Sequence, residues 1–359
     1  MLDSSDTKPV RASEQLDWDN LADYLREHLH VMGGRDLGRD VPLSVEQFPG
    51  GHSNLTYLLR FGEHEFVMRR PPLGRVPPKA HDMAREFRIL EAVHPVFPLA
   101  PRPLLLCEDA EIIGATFYIM ERRGGIIVRA DEPTQLIQNT PARRRVSEIV
   151  VDALADLHSI DVEAHKLLRL GKPAGFVERQ VRGWSERWQN AQTGELPEMD
   201  ALAKWLVERL PPETSKPTLV HGDYKLDNVM LDPDDVGRIV AVFDWEMSAI
   251  GDSLIDVGIM LCYWVHVASE IQGDIIRTVT QHEGYFTRDE ILERYTARTG
   301  NDLTNIAFYE VFAVFKLAVV VQQIFYRYHR GQTDDVRFAV LESRVKNFAR
   351  LATMFAAQA

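Results

Sequence analysis

The chain has 359 residues, 45% of them hydrophobic and 26% charged, and a formal net charge of −12. That is enough apolar material for a sizeable core and more length than one compact domain usually holds, so two lobes are expected. So acidic a chain repels phosphate backbones, which excludes general nucleic-acid binding.

The chain begins with a polar tail over residues 1–16 that has no apolar segment of the kind a secretory signal needs. Leu21, Leu25, Leu29 and Met32 then recur at helical spacing across residues 18–32, with Asp17 or Asp19 able to cap the start and Gly33-Gly34 to end it. Short strand-like pieces follow at 43–48, 55–61 and 65–70, the last two joined by a hairpin turn at Gly62-Glu63-His64. Pro71-Pro72 stops the third piece. A helical pattern covers 79–93, and strand patterns return at 104–107 and 116–120.

After Gly124-Gly125 the pattern changes to helices at 141–159, 176–192 and 199–210. Two strand-like runs, 218–221 and 239–243, interrupt them, and from Ser253 onward the chain is almost all helical. There is no repeat and no low-complexity block. Strands gathered in one half and helices in the other read as an α+β fold. The expected division is a tail at 1–16, an N-terminal lobe at 17–121 and a C-terminal lobe at 122–359. The most membrane-like window, 306–326, contains Glu310, Lys316, Gln322 and Gln323, so a buried helix is expected there and no membrane partner. Cys107 and Cys262 lie in apolar stretches and are expected as reduced core thiols of a cytoplasmic chain, in preference to one buried disulfide.

The chemistry concentrates in His221-Gly222-Asp223-Tyr224-Lys225-Leu226-Asp227-Asn228, placed after one strand, and in Asp244, placed at the end of the next. Phosphoryl transfer needs a carboxylate to orient or deprotonate the acceptor, hard oxygen ligands for Mg²⁺, and positive charge near the transferred group. Asp223 can supply the first, Asn228 and Asp244 the second, and Lys225 the third. Two adjacent strands would bring Asn228 and Asp244 together although they lie far apart in sequence. The order and spacing match the kinase catalytic loop H-R-D-x-x-x-x-N followed by a metal-binding aspartate, with Gly222 in the arginine position. Asp and Asn are also ordinary turn residues. Spacing, order and flanking strands together favour the catalytic reading.

Upstream, Gly50-Gly51-His52-Ser53-Asn54 precedes a strand, where a glycine turn lets backbone N–H groups approach phosphates; Ser53 and Asn54 are the expected polar contacts. Arg69 stands where kinase-like enzymes carry a strand lysine that holds the α- and β-phosphates, and Glu86 on the following helix is its natural partner. Arginine binds phosphate bidentately but is larger than lysine. Glu121 and Arg123 lie where the first lobe passes into the second, and their backbone groups are expected to meet the adenine edge of the nucleotide.

With Gly222 in the arginine position, the sequence resembles the aminoglycoside phosphotransferase family from about Trp18 to the end. The stretch Phe66-Val67-Met68-Arg69-Arg70-Pro71-Pro72 is similar to the subgroup that includes kinase-like domains fused to acyl-CoA dehydrogenases, in which arginine at this place is usual. The resemblance implies a protein-kinase-like bilobal fold, ATP with Mg²⁺, and a small-molecule hydroxyl acceptor held by the helical lobe. It makes Asp223 the catalytic base and Asn228 and Asp244 the metal ligands. It also implies that Asp252, in Gly251-Asp252, buttresses the catalytic loop through backbone N–H groups, with Asp256 a secondary contact or solvated. His158 reads as a core histidine, and the aromatic residues from Phe308 to Tyr328 as core with some available to an acceptor pocket.

The rival readings are a nucleotide-binding pseudokinase, supported by Arg69 and the short glycine turn, and a kinase acting on protein side chains. The intact Asp223, Lys225, Asn228 and Asp244 oppose the first, and the lack of an activation segment after Asp244 opposes the second. Aminoglycosides, choline-like amines, sugars, and hydroxylated acids or their thioesters all remain open as acceptors.

Overall fold

Apolar runs within residues 55–61 and 64–70 make two largely buried strands, and a two-residue turn folds one onto the other. In a computed structural model of the chain, which describes residues 6–29, 37–49, 54–73, 82–264, 278–333 and 335–359, this hairpin is the centre of a six-stranded antiparallel sheet. The chain forms two units, Met1–Gly124 with Ala241–Glu246, and Gly125–Val240 with Met247–Ala359.

The strands of the first unit are β1 (Lys8–Pro9), β2 (Leu43–Gln47), β3 (Leu55–Phe61), β4 (His64–Arg70), β5 (Pro103–Cys107) and β6 (Phe117–Glu121), in the spatial order β1-β2-β3-β4-β6-β5. Phe61 pairs with His64 at the hairpin end, and Gly62 takes the positive φ (58°) that the tight turn requires. Helix α1 (Trp18–His28) is capped by Asp17, whose side chain accepts from the Asn20 N–H. Its Leu21 and Leu25 bury against Tyr57, Leu59, Phe61, Met68, Phe117 and Ile119 of the sheet. Helix α2 (Met83–Val93) is capped by Asp82. It buries Ile89, Leu90 and Val93, and with them one charged residue, Glu86. A single turn, α3 (Ala110–Ile113), precedes β6.

The second unit opens with β7 (Ile126–Ile127) and α4 (Thr140–His158), which starts with Pro141 in its first turn under an Asn139 cap. Helices α5 (Phe176–Ala191) and α6 (Pro197–Glu208) follow. Strand β8 (Thr218–Val220) leads into the catalytic-loop sequence, and β9 (Val229–Leu231) leads out of it. β10 (Ile239–Val242) completes a three-stranded sheet in the order β10-β9-β7, and β11 (Ala249–Gly251) pairs antiparallel with β8. Beyond these strands come α7 (Leu254–Tyr263), α8 (Arg288–Thr299), α9 (Ile306–His329) and α10 (Leu341–Gln358).

Helix α9 is long and apolar enough to cross a membrane by length and composition, and 72% of that window is buried inside the chain's own fold. It packs against α7, α10 and α5. The elements β7, α3 and β11 are not visible in the sequence pattern because each is only two to four residues long, too short to show a period.

Candidate active site

The loop between β8 and β9 is held by hydrogen bonds at almost every residue. Asp256, fully buried in the first turn of α7, accepts the His221 N–H at Oδ2 (2.6 Å) and the Gly222 N–H at Oδ1 (2.7 Å). The His158 ring meets the same Oδ2 through Nε2 at 3.1 Å and the Tyr295 hydroxyl through Nδ1 at 2.8 Å. Burial works to raise the Asp256 carboxyl, but the bonds from His158 and the loop N–H outweigh it and hold the group below the ordinary carboxylate value. The role expected of Asp252 therefore falls to Asp256. Asp252 instead accepts the Leu254 N–H (2.9 Å) and the Tyr309 hydroxyl (2.7 Å). The two aspartates are four residues apart at the start of one helix, and sequence alone does not tell which of them faces the loop.

Gly222 has φ +84°, and a Cβ there would lie 2.7 Å from the Met247 carbonyl oxygen. Both facts exclude a side chain at this position, which accounts for glycine where the general pattern has arginine.

Past Gly222 the chemistry-bearing side chains converge. Asp223 Oδ2 accepts from Lys225 Nζ at 2.8 Å and from Asn228 Nδ2 at 3.1 Å, and the Asn228 amide also donates to the Asp223 carbonyl (2.9 Å). Asp223 and Lys225 are each about one-fifth exposed, and the ammonium lies 4.8 Å from the centre of the Tyr263 ring. Lys225 thus pairs with Asp223 and not with Asp227, which is pushed up by burial against the pull of Lys225.

The first unit carries a second charged cluster. Arg69 on β4 and Glu86 on α2 form an ion pair at 2.6 Å, with Glu86 only 2% exposed. Arg69 Nη2 lies 3.7 Å from Asp244 Oδ1, an ion-pair distance too long for a hydrogen bond. Burial works against the Arg69 charge, but Glu86, Tyr118, Asp244 and Glu246 outweigh it and keep the guanidinium firmly protonated. Burial raises the Glu86 carboxyl, and Arg69 opposes that rise. Tyr118, opposite Arg69 in the β4–β6 ladder, is driven far up by the same burial.

Asp244 has φ +69°, a left-handed conformation that aspartate tolerates better than most residues. Its neighbours fix it there. Trp245 is 1% exposed, donates through Nε1 to the Val242 carbonyl (2.8 Å), and packs edge-on against Phe97. The Val242 N–H in turn donates to Leu99 O (2.8 Å). Asn54 Nδ2 donates to Glu246 Oε2 at 3.2 Å, and Arg85 bonds the Glu246 carbonyl.

Of the remaining expected nucleotide contacts, Ser53 lies outside the described residues. The Glu121 N–H is taken by the Arg102 carbonyl (2.9 Å), so Glu121 has no backbone donor to offer a base. Its side chain accepts from Arg123 Nη2 at 2.6 Å, and the Arg123 carbonyl accepts from Arg122 Nη1 at 2.6 Å.

A β-sheet unit with a buried Arg–Glu pair, followed by a helical unit with an Asp-Lys-Asn loop, defines a protein-kinase-like α+β fold. Residues 44–294 match the phosphotransferase enzyme family, and the chain belongs to it, in the aminoglycoside-phosphotransferase group. It is 36% identical over 337 residues to acyl-CoA dehydrogenase family member 11 of Mus musculus, an alignment that covers 92% of this chain and 42% of the mouse protein. The chain therefore spans less than half the length of that relative. Among solved structures, a candidate aminoglycoside phosphotransferase from Ralstonia eutropha superposes with a TM-score of 0.78 at 29% identity, covering 96% of this chain and 99% of that one. A choline kinase from Cryptosporidium parvum shares the fold at a TM-score of 0.60 and 12% identity, covering 95% of this chain and 97% of its own.

Proposed function

We propose that this chain transfers the γ-phosphoryl group of MgATP to a hydroxyl of a small molecule. The observation that carries the reading is the Asp223 carboxylate, met by both Lys225 and Asn228 on a loop whose backbone is fixed. The fit of a magnesium ion rests on donor chemistry. Asp244 Oδ1 is buried without a hydrogen-bond partner, and the Asn228 amide nitrogen is spent on Asp223, which leaves the Asn228 amide oxygen for a cation. Both are hard oxygens of the kind Mg²⁺ takes together with phosphate and water. An ion taken by such oxygens would neutralise charge on the nucleotide phosphates.

The chain's own residues supply the rest. Asp223 orients the acceptor hydroxyl and receives its proton as the new oxygen–phosphorus bond forms and the bond to the ADP oxygen breaks. Lys225 offers fixed positive charge to the phosphoryl oxygens. Arg69, locked by Glu86, holds the phosphates with a bidentate guanidinium. Two free buried thiols, Cys107 and Cys262, support a reducing, cytoplasmic setting.

The test is a panel of hydroxyl metabolites, cationic, neutral and anionic, read by ADP release with and without Mg²⁺. Acceptor-stimulated release that chelation abolishes supports the proposal. Tight nucleotide binding with no release on any acceptor favours a regulatory nucleotide-binding protein instead.

A further inference from the structure

Helix α9 runs through the core of the second unit, and its one buried charge is out of keeping with its surroundings. Lys316 is 7% exposed and flanked in sequence by Phe315 and Leu317, both buried. An ammonium in such a place costs several kcal/mol unless it is well partnered, and a leucine or methionine would fill the same volume at no such cost. Its Nζ donates to the Gly222 carbonyl at 2.5 Å, across 94 residues of sequence. It also sits 5.4 Å from the centre of the Trp184 ring on α5. The charged and titratable groups around it are Asp223 and Asp256, which favour its charge, and Lys225, which opposes it; Cys262 on α7 adds a small favourable effect.

The Gly222 carbonyl belongs to the peptide that joins Gly222 to Asp223. The N–H of Gly222 is already bonded to Asp256. The backbone immediately before Asp223 is thus gripped at its donor by an aspartate on α7 and at its acceptor by a lysine on α9.

We propose that Lys316 is a positioning residue of the phosphotransfer reaction: its bond to the Gly222 carbonyl orients the Gly222–Asp223 peptide and so aims the Asp223 carboxylate at the acceptor. Burial pulls the Lys316 ammonium below its ordinary value, and Asp223 and Asp256 oppose that pull. Misaiming a reacting group by about 1 Å costs on the order of 10²-fold in rate. Loss of the clamp is therefore expected to act on turnover and to spare nucleotide binding, since Lys316 touches no group assigned to the nucleotide.

The inference rests on the phosphotransferase reading, and the experiment separates the two. Lys316→Met keeps the stem and removes the donor. Two quantities are measured on the full chain: MgATP turnover with water as acceptor, alongside MgATP affinity, and amide hydrogen exchange of the segment 221–228. The clamp requires turnover to fall by about 10- to 100-fold with affinity unchanged within about twofold. It also requires exchange in that segment to quicken while α4 and α10 exchange as before. Unchanged turnover overturns the positioning role even if exchange quickens, because the lysine is then only structural. A fall in turnover without faster exchange overturns the clamp as its cause. If the unaltered chain releases no ADP with water or with any acceptor of the hydroxyl panel, the phosphotransferase reading fails and the positioning role falls with it; where it does turn over, the two requirements above decide the clamp on their own. Should Lys316→Met not fold, Lys316→Gln takes its place with the same two requirements, since its shorter side chain does not reach Gly222.

Discussion

The two charged clusters are built to opposite standards of completeness. In the second unit the two carboxylates at the 221–228 loop are each met by several donors: Asp256 takes two N–H groups and a histidine, and Asp223 takes a lysine and an asparagine. In the first unit, Arg69 Nε, Glu86 Oε2, Tyr118 Oη and Asp244 Oδ1 are all buried with no hydrogen bond of ordinary geometry. They are four of seven such side-chain atoms among the described residues, so the deficit is concentrated and not a general looseness of packing. Buried polar atoms left unsatisfied cost about 1–3 kcal/mol each. Under the function proposed above, the first unit's set is where phosphates and their ion would find partners, and the second unit's set fixes Asp223 in advance. On that proposal the first region holds and the second aims.

Substitutions can break that contrast, and the largest effect is expected where aiming matters most. Asp223→Asn keeps the shape of the side chain and removes the base, so turnover falls by about 10²- to 10⁴-fold while MgATP affinity is retained. Steady-state kinetics beside equilibrium nucleotide binding would show it, and equal losses in both would erase the distinction between the regions.

Next comes Asp256→Asn, which strikes the saturation itself. It leaves His158 and two loop N–H groups facing a weaker acceptor, and removing one member of such a buried set costs about 3–5 kcal/mol of stability. The pH dependence has a definite sign. A carboxyl held below its ordinary value of 3.8 adds stability that is present above that value and is lost as pH falls through the lower folded one. Thermal midpoints of the unaltered chain should therefore drop on acidification through this range, and those of Asp256→Asn should drop less steeply.

Glu86→Gln tests the unsaturated side. It removes the charge that fixes Arg69 and should weaken MgATP binding by about 1.5–3 kcal/mol, the worth of a charged hydrogen bond. Stability should fall with it, by about 3–5 kcal/mol, because the Arg69 charge is left buried without its partner. Calorimetric titration and thermal melts read the two separately. A large loss of stability with no loss of affinity would make the pair structural.

The smallest effect belongs to neither cluster. Lys204 and Glu208 form an exposed pair one helical turn apart at 3.7 Å, and Lys204→Ala should change stability by under about 1 kcal/mol and turnover not at all.

What the sequence revealed divides along similar lines. The Asp223 loop was legible because its residues are close together and their spacing carries the chemistry. The Arg69–Glu86 pair was legible because a strand and the next helix have a simple relation, and the ion pair forms where that relation puts it. Asp256 was passed over for Asp252 because the choice depends on which face of α7 meets the loop, and α7 is buried on all sides. Lys316 was read only as a mark against a membrane span. Nothing local to a lone lysine in an apolar helix signals that a carbonyl 94 residues earlier awaits it.

Gly222 has one consequence that concerns regulation and inheritance more than geometry. Its backbone is left-handed, and the Met247 carbonyl oxygen stands where a Cβ would go. An arginine at this point in other kinase-like chains can answer to a phosphorylated segment and so let a signal decide when the loop is in order. Here that lever is excluded by the path of the chain, and no single substitution at position 222 restores it. The order of this loop is set as the second unit folds, by the bonds that Asp256 and Lys316 make to its backbone.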